Sequence, residues 1–333
     1  MSILRIGVIG AGHFGRFHAQ KIAASPRAAL VGIADPNADR AGMVARELGG
    51  VPVLPLADLL SVADAVVIAT PADTHFELAQ QALLAGRHVL IEKPIAANLA
   101  QADALAALAH SANRVLQVGH LLRYSAEHDA IAARITRPLF IEATRIAPFK
   151  PRGTDVSVIL DLMIHDLDLV LALVNSDIES VDAMGAAVSS AHEDIANARV
   201  RFVNGCVATI TASRISLKTE RKMRLFSEEG YLSADFVART LTMIGRDQGL
   251  PIPGTEGFLL EEVTWQDHDV LAAEHAAFAA SCLDGAPVLV DVAAGRRALA
   301  AAIAVTASME KSRNTAIASG LIKAIEDSTR GRI

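Results

Sequence analysis

A chain of 333 residues has room for two domains of ordinary size. With 52% hydrophobic and 20% charged residues it can build large cores, which excludes a disordered or low-complexity protein. Its net charge of −6 argues against a nucleic-acid or membrane-surface partner, because both require a basic face. From the N-terminus, residues 4–10 form a short β-rich run that leads into a glycine-rich turn. Phe14, Phe17 and Ile22 give residues 14–25 helical spacing. Residues 29–34 read as strand and 38–48 as helix, ended by Gly49-Gly50. A strand over 64–70, a helix over 73–85 stopped by Gly86, and a strand over 88–92 follow. Asn98 and Gln101 have capping-box spacing ahead of a helix to about residue 112, and residues 115–119 are one more strand. Strands that are apolar almost throughout, alternating with helices, predict a parallel sheet covered on both faces.

The texture changes after residue 120. Helical spacing covers 126–135 and a strand is expected over 139–146. Residues 150–154, with Pro151 and Gly153, read as a loop, and 156–174 as one long helix. From 178 to 265 the pattern is β, with a hairpin signal at Asn204-Gly205. Helices return over 270–282 and 291–309, and the pattern is weak after Lys311. Successive strands with tight turns predict a largely antiparallel sheet. Cys206 and Cys282 belong to no CxxC pair and no Cys/His cluster, so a reducing, cytoplasmic setting and no metal site are expected. No membrane span is expected. Asp161, His165, Asp166 and Asp168 interrupt 156–174, and 298–309 is shorter than the ~20 residues a span needs. His13 and Arg16 follow the first apolar run at once, unlike a signal peptide.

Gly10-Ala11-Gly12-His13-Phe14-Gly15 fits G-x-G-x-x-G between a predicted strand and a predicted helix. Gly10 serves the tight turn, Gly12 lets backbone approach a pyrophosphate, and Gly15 permits close helix–strand packing. Asp35 lies at the end of the next strand, about 20 residues past the last glycine, where a carboxylate accepts from ribose hydroxyls. It also repels a 2′-phosphate, and no Arg or Lys follows before Arg40. NAD is therefore favoured over NADP. The competing reading is a glycine turn with a solvated aspartate. The whole pattern predicts an α/β Rossmann domain over 1–120. A second, α+β domain with an open, mostly antiparallel sheet is expected over 121–333, its C-terminal helices packing back on the first.

Ligands of open α/β sheets bind at the carboxyl ends of the strands. One such end carries Thr70-Pro71, followed by Asp73, Thr74 and His75, and another carries Glu92-Lys93-Pro94. Lys93 is a candidate for the cofactor's reactive end. Asp161 and His165 stand four apart and share one face of an otherwise apolar helix. Such a pair orients an imidazole for proton transfer. A satisfied core hydrogen bond or a surface pair explains the spacing as well. Asp166 and Asp168 point elsewhere, so some acids on this helix are expected to be solvated.

Together these pieces resemble the Gfo/Idh/MocA family of nicotinamide-dependent sugar and cyclitol oxidoreductases. The resemblance spans nearly the whole chain and rests on Gly10–Gly15, Pro71 to His75, the segment from Gly86 through Glu92-Lys93-Pro94, and Asp161 with His165. It implies catalytic roles for Lys93, Asp161 and His165. It implies cofactor contacts from Gly10, Gly12, His13, Phe14, Gly15, Asp35, Thr70, Pro71, His75, Glu92 and Lys93. It also implies a homo-oligomer formed through the second-domain sheet. Many members carry a Gly-Gly pair shortly before the aspartate, and here the stretch from Asp155 to Leu160 has none. The segments 155–169, 212–216 and 221–224 look like members that oxidise the 3-hydroxyl of UDP-N-acetylglucosamine. Alternatives are a dehydrogenase of a free aldose or inositol, a reductase of a cyclic imine or aldehyde, and a non-catalytic NAD-binding regulator. Arg123, Arg152, Arg214 and Lys222 are candidate substrate contacts. The cluster Lys218, Arg221, Lys222 and Arg224 suits a diphosphate, and equally a solvated strand face or an oligomer contact. Which of Lys93 and His165 moves the hydroxyl proton is left open.

Overall fold

The computed structural model describes residues 2–150, 156–246, 249–266 and 268–321. The chain divides into two compact units, residues 1–125 with 268–299, and residues 126–267 with 300–333.

In the first unit the elements are β1 (Leu4–Ile9), α1 (His13–Ala24), β2 (Ala28–Ala34), α2 (Ala38–Glu47), α3 (Leu56–Val62), β3 (Ala65–Ile68), α4 (His75–Leu84), β4 (His88–Glu92), α5 (Leu99–Ser111) and β5 (Leu116–Gly119). The five strands pair in parallel in the order β2-β1-β3-β4-β5. Alternate side chains enter two different cores. Val66, Ile68, Val89 and Ile91 belong to one, and Ile6, Val8, Val67 and Leu90 to the other. Because both faces are buried, the strands read as continuous apolar runs. Asn98 caps α5 by accepting from the Gln101 amide, as its sequence spacing required. The short helix α3 escaped the periodicity reading. It lies over β1 and β2, where Gly7 and Gly32 leave room for Leu59; a Cβ at either position would come within 2.8 Å of that side chain.

Helix α6 (Ala126–Ala132) and strand β6 (Phe140–Ile146) begin the second unit, and α7 (Ile164–Val174) follows. Strands β7 (Ile178–Ala186), β8 (Ile195–Phe202), β9 (Val207–Ser213), β10 (Glu220–Phe226), β11 (Gly230–Asp235), β12 (Thr240–Gly245), β13 (Leu250–Pro251) and β14 (Leu259–Thr264) complete it. These strands join β6 in one sheet of nine, ordered β13-β14-β12-β11-β10-β6-β9-β8-β7. Its pairs are antiparallel except β6 with β9. The Asn204-Gly205 turn joins β8 to β9; Gly205 takes φ +90°, and the Asn204 side chain accepts from the Cys206 amide at 3.1 Å. Ile141, Ala143, Met223 and Leu225 are buried on one face of the sheet. Phe140, Phe226 and Tyr231 stand in register on the other, in ring contact at 5.7 and 5.0 Å.

Helix α8 (Val270–Asp284) belongs to the first unit, where Phe278 enters the core. Helix α9 (Val292–Ala318) starts there and ends in the second unit. It corrects the expected stop at residue 309, and by length and composition it is long and apolar enough to cross a membrane. Protein covers it instead at Ala298, Leu299, Ala302, Val305 and Met309, and Ser308 exchanges hydrogen bonds with the backbone of β7. The expected helix over 156–174 also differs. It opens with a π-helical turn, Ile159–Met163, before α7. Both cysteines are free; burial pushes the Cys206 thiol up to about 11 and that of Cys282 up to about 12.

Candidate active site

The glycine turn is enforced by space. Gly10 takes φ +98°, and a Cβ there would lie 2.5 Å from the Ala69 carbonyl oxygen. At Gly15 a Cβ would lie 1.8 Å from the Gly10 oxygen, so α1 can start this close to β1 only on glycine. Gly12 caps α1 without a side-chain hydrogen bond and has open space where a Cβ would project. The first amides of α1, flanked by exposed His13 and Phe14, thus form an anion cradle that fits a pyrophosphate.

Asp35 follows β2 with its side chain only 2% exposed. It accepts from the Ala11 amide at 2.7 Å and the Asn37 amide at 2.8 Å. Arg40, which the sequence reading set aside, reaches back from α2 and binds both carboxylate oxygens at 3.1 and 2.7 Å. Burial pushes the Asp35 carboxyl up, but Arg40 and the two amides outweigh it and hold the group below its usual value.

At the next strand ends, Thr70 and Thr74 share a hydrogen bond of 2.7 Å, beside exposed Pro71. Buried His75 sits with Nδ1 2.8 Å from the Pro94 carbonyl oxygen and Nε2 3.0 Å from the Thr70 carbonyl oxygen. It ties the end of β3 to the end of β4. Lys93 is half-buried, joined to Pro94 by a cis peptide bond. Behind it Glu92 is buried, 2.9 Å from His18 Nε2, and His18 Nδ1 lies 2.9 Å from His275 Nε2. Neither histidine, nor neighbouring Glu274, was singled out in the sequence; the available signal was a polar residue on an apolar helix face. Arg123 lies in the 3-10 turn after β5.

The second unit carries Asp161 in the π turn and His165 in the first turn of α7, both half-buried. The expectation of solvated acids on this helix is reversed. Asp166 and Asp168 are 4% and 2% exposed. Arg145 of β6 grips Asp166 with two hydrogen bonds of 2.8 and 2.7 Å, which compensates the buried charge. Arg221 pairs with Arg145 across β10 and β6, and burial and Arg145 lower its pKa while Asp166 raises it. Lys222 and Arg224 point to the opposite face, toward Asp235 at 3.5 Å and Glu142 at 2.5 Å, and Lys218 pairs with Glu220. Arg152 lies outside the described residues.

Arg214 is buried. It donates to Asp194 at 2.8 Å, to Ser190 at 3.0 Å and to the Val156 carbonyl at 2.8 Å. Asp194 also accepts three amides, from Val188, Ser189 and Ser190. This knot fixes the segment that leads into the π turn. Burial pushes the Asp194 carboxyl up, but Arg214 and the donors outweigh it and hold it far below its usual value. Its stabilisation is therefore complete above the unfolded value near 3.8 and is lost as pH falls below it. Asp194→Asn should cost about 3–5 kcal/mol, the expected result of breaking a buried pair. Thermal unfolding at pH 7 checks it, and a melting temperature within a degree of wild type would reject it.

A parallel sheet with a glycine turn at the first helix, followed by a unit built on a broad open sheet, defines a two-domain dinucleotide-dependent oxidoreductase. Residues 4–120 match the model of an oxidoreductase family with an NAD-binding Rossmann fold, and residues 133–233 match the GFO/IDH/MocA C-terminal domain. A UDP-N-acetylglucosamine 3-dehydrogenase from Acidithiobacillus ferrooxidans is 44% identical over 311 residues, 92% of this chain and 97% of its own. A solved structure under that name has a TM-score of 0.87 at 43% identity and covers 93% of this chain and 99% of that one. A myo-inositol 2-dehydrogenase from Thermotoga maritima is 27% identical over 331 residues, 93% of this chain and 98% of its own. The chain belongs to the Gfo/Idh/MocA oxidoreductase family, and its cofactor is NAD.

Proposed function

We propose that this chain oxidises the 3-hydroxyl of UDP-N-acetylglucosamine. What carries the reading is 44% identity to a dehydrogenase of that name over nearly the full length of both chains. The paired Arg145 and Arg221, with one buried carboxylate between them in charge, support an anionic substrate over a neutral cyclitol. NAD, when bound, supplies the acceptor for the hydride on the sugar carbon. The glycine turn and the α1 amides hold the pyrophosphate, and Asp35 meets the adenosine ribose. Neutral His165 takes the hydroxyl proton, and Asp161 orients it. Lys93 donates to the same oxygen and stabilises the charge that develops there. The reading includes a cytoplasmic setting, supported by the two free thiols, and a homo-oligomer through the second unit's sheet. The aromatic row Phe140, Phe226 and Tyr231 on the open face supports the latter, as does exposed Met184 in a recess beside Arg199.

The test is NADH formation at 340 nm with UDP-N-acetylglucosamine, UDP-glucose, glucose and myo-inositol. The expected kcat/KM for UDP-N-acetylglucosamine exceeds that for the free sugars on the order of 100-fold, because they leave polar groups of the site unpaired. Equal or better turnover of myo-inositol would overturn the assignment, and so would no turnover of any of the four.

A further inference from the structure

The sheet of the second unit leaves one arginine uncompensated on the face that α7 covers. Antiparallel register places Arg221 of β10 opposite Arg145 of β6. Side chains alternate along a strand, so Arg221 shares its face with Met223 and Leu225, and Arg145 shares it with Ile141 and Ala143. Those four apolar side chains are buried, which makes this the inner face of the sheet. Helix α7 stands on it. Arg145 donates to Asp166 Oδ2 at 2.8 Å and to Oδ1 at 2.7 Å, so one fork and one carboxylate satisfy each other.

Among the described residues the Arg221 guanidinium has no ion pair and no hydrogen bond of its own. The neighbouring cations are occupied: Lys222 and Arg224 face Asp235 and Glu142 on the opposite face, and Lys218 pairs with Glu220. Like charges directly opposite on neighbouring strands repel. Asp166 cancels one of the two, and the inner face keeps a net positive charge at Arg221. That side chain is open to solvent, so a ligand can reach it. A locally unfavourable cation of this kind marks a functional position, where a bound anion offsets the repulsion. Its place suits a particular anion. In a nucleoside-diphosphate sugar the diphosphate hangs from C1 of the same ring that carries the 3-hydroxyl. The cation that meets the diphosphate therefore stands about a ring's width from the group that takes the proton. Asp166, which binds the partner arginine, directly follows His165 in α7.

We propose that the Arg221 guanidinium binds the diphosphate of the substrate and so selects a nucleotide sugar over a neutral one. The inference deepens the proposed function and rests on it for the substrate's identity. Arg145 does not share the task, because Asp166 already occupies its fork. A planar guanidinium meets paired phosphate oxygens with parallel donors, and a neutral cyclitol offers no such charge.

Calorimetric titration of the full-length, NAD-loaded protein with UDP tests this without turnover. Arg221→Gln should weaken UDP binding about 10–150-fold, the effect of losing a charge-assisted hydrogen bond to phosphate. KM for UDP-N-acetylglucosamine should rise by a similar factor while kcat stays within about threefold, as for a contact made equally in ground and transition states. Arg221→Lys keeps the charge without the fork and should fall between the two. Arg224→Gln removes a cation from the opposite face of the same strand and should leave UDP binding as it was. Unchanged UDP binding in Arg221→Gln overturns the proposal. So does a loss produced by Arg224→Gln instead, and so does an equal loss of NAD affinity, which would mark general damage. Should Arg221→Gln not fold, Arg221→Lys carries the test with a smaller expected loss. A wild-type protein that binds UDP yet does not oxidise UDP-N-acetylglucosamine would remove the proposed substrate, while the Arg221→Gln titration would still decide the diphosphate site. A wild-type protein that binds no UDP would overturn the proposal outright.

Discussion

Lys93→Ala is expected to lower kcat by about 10³-fold while NAD still binds. The size follows from the role. A donor that meets oxygen only as negative charge develops contributes on the order of 10²–10⁴ to rate, about 4 kcal/mol at the middle of that range. The selectivity follows from the fold. In the proposed reading the Gly10 turn, the α1 amides and Asp35 hold the dinucleotide, through backbone and a carboxylate that Lys93 does not build. Lys93→Arg should not rescue, because a planar guanidinium fork does not present its donors as a compact ammonium does. Stopped-flow hydride transfer and NADH fluorescence titration separate the two effects. A variant with kcat within tenfold of wild type would remove Lys93 from the chemistry. A loss confined to NADH affinity would make it a cofactor ligand only.

Asp35→Ala should loosen the preference for NAD and shift it toward NADP. In the proposed reading Asp35 puts a negative charge where a 2′-phosphate would sit, and it occupies the guanidinium of Arg40 through both oxygens. Removing it frees a cation on α2 for that phosphate. A charge-assisted hydrogen bond contributes about 1.5–3 kcal/mol, so the NADP/NAD ratio of kcat/KM should rise about 10–150-fold. Affinity for both dinucleotides should fall, because the Ala11 amide loses its acceptor. Asp35→Ala with Arg40→Ala should cancel the gain for NADP. If the single variant keeps the wild-type ratio, or the double variant keeps the gain, Asp35 and Arg40 do not set specificity.

What could be read in the sequence was local. Gly10, Gly12 and Gly15 announce their turn because all three fall within six consecutive residues between a strand and a helix, although the clash that Gly10 avoids is with distant Ala69. Asn98 announces its helix because the amide it caps is three residues away. The apolar runs of β1, β3 and β4 gave the parallel sheet because both faces are buried, and that leaves no alternation to misread. What was missed depends on distant partners. Arg145 and Asp166 lie on different elements, so nothing near Asp166 signalled that its charge was compensated. The π turn is held by Arg214 through Val156 and by the Glu193 carbonyl through Val158, neither visible in the spacing of its own residues. His18 and His275 are separated by 257 positions, and only folding reveals them as a pair. Helix α3 was missed because seven residues are too few to show a period.

The two thiols have a practical sequel. Burial holds both thiols well above their usual range, so the reactive thiolate is scarce at neutral pH. Maleimide and iodoacetamide dyes attack thiolates, so the natural chain is nearly silent to them. A single cysteine engineered onto the surface would take the label almost alone, and fluorescence experiments can begin without first stripping the native sulfur from the protein.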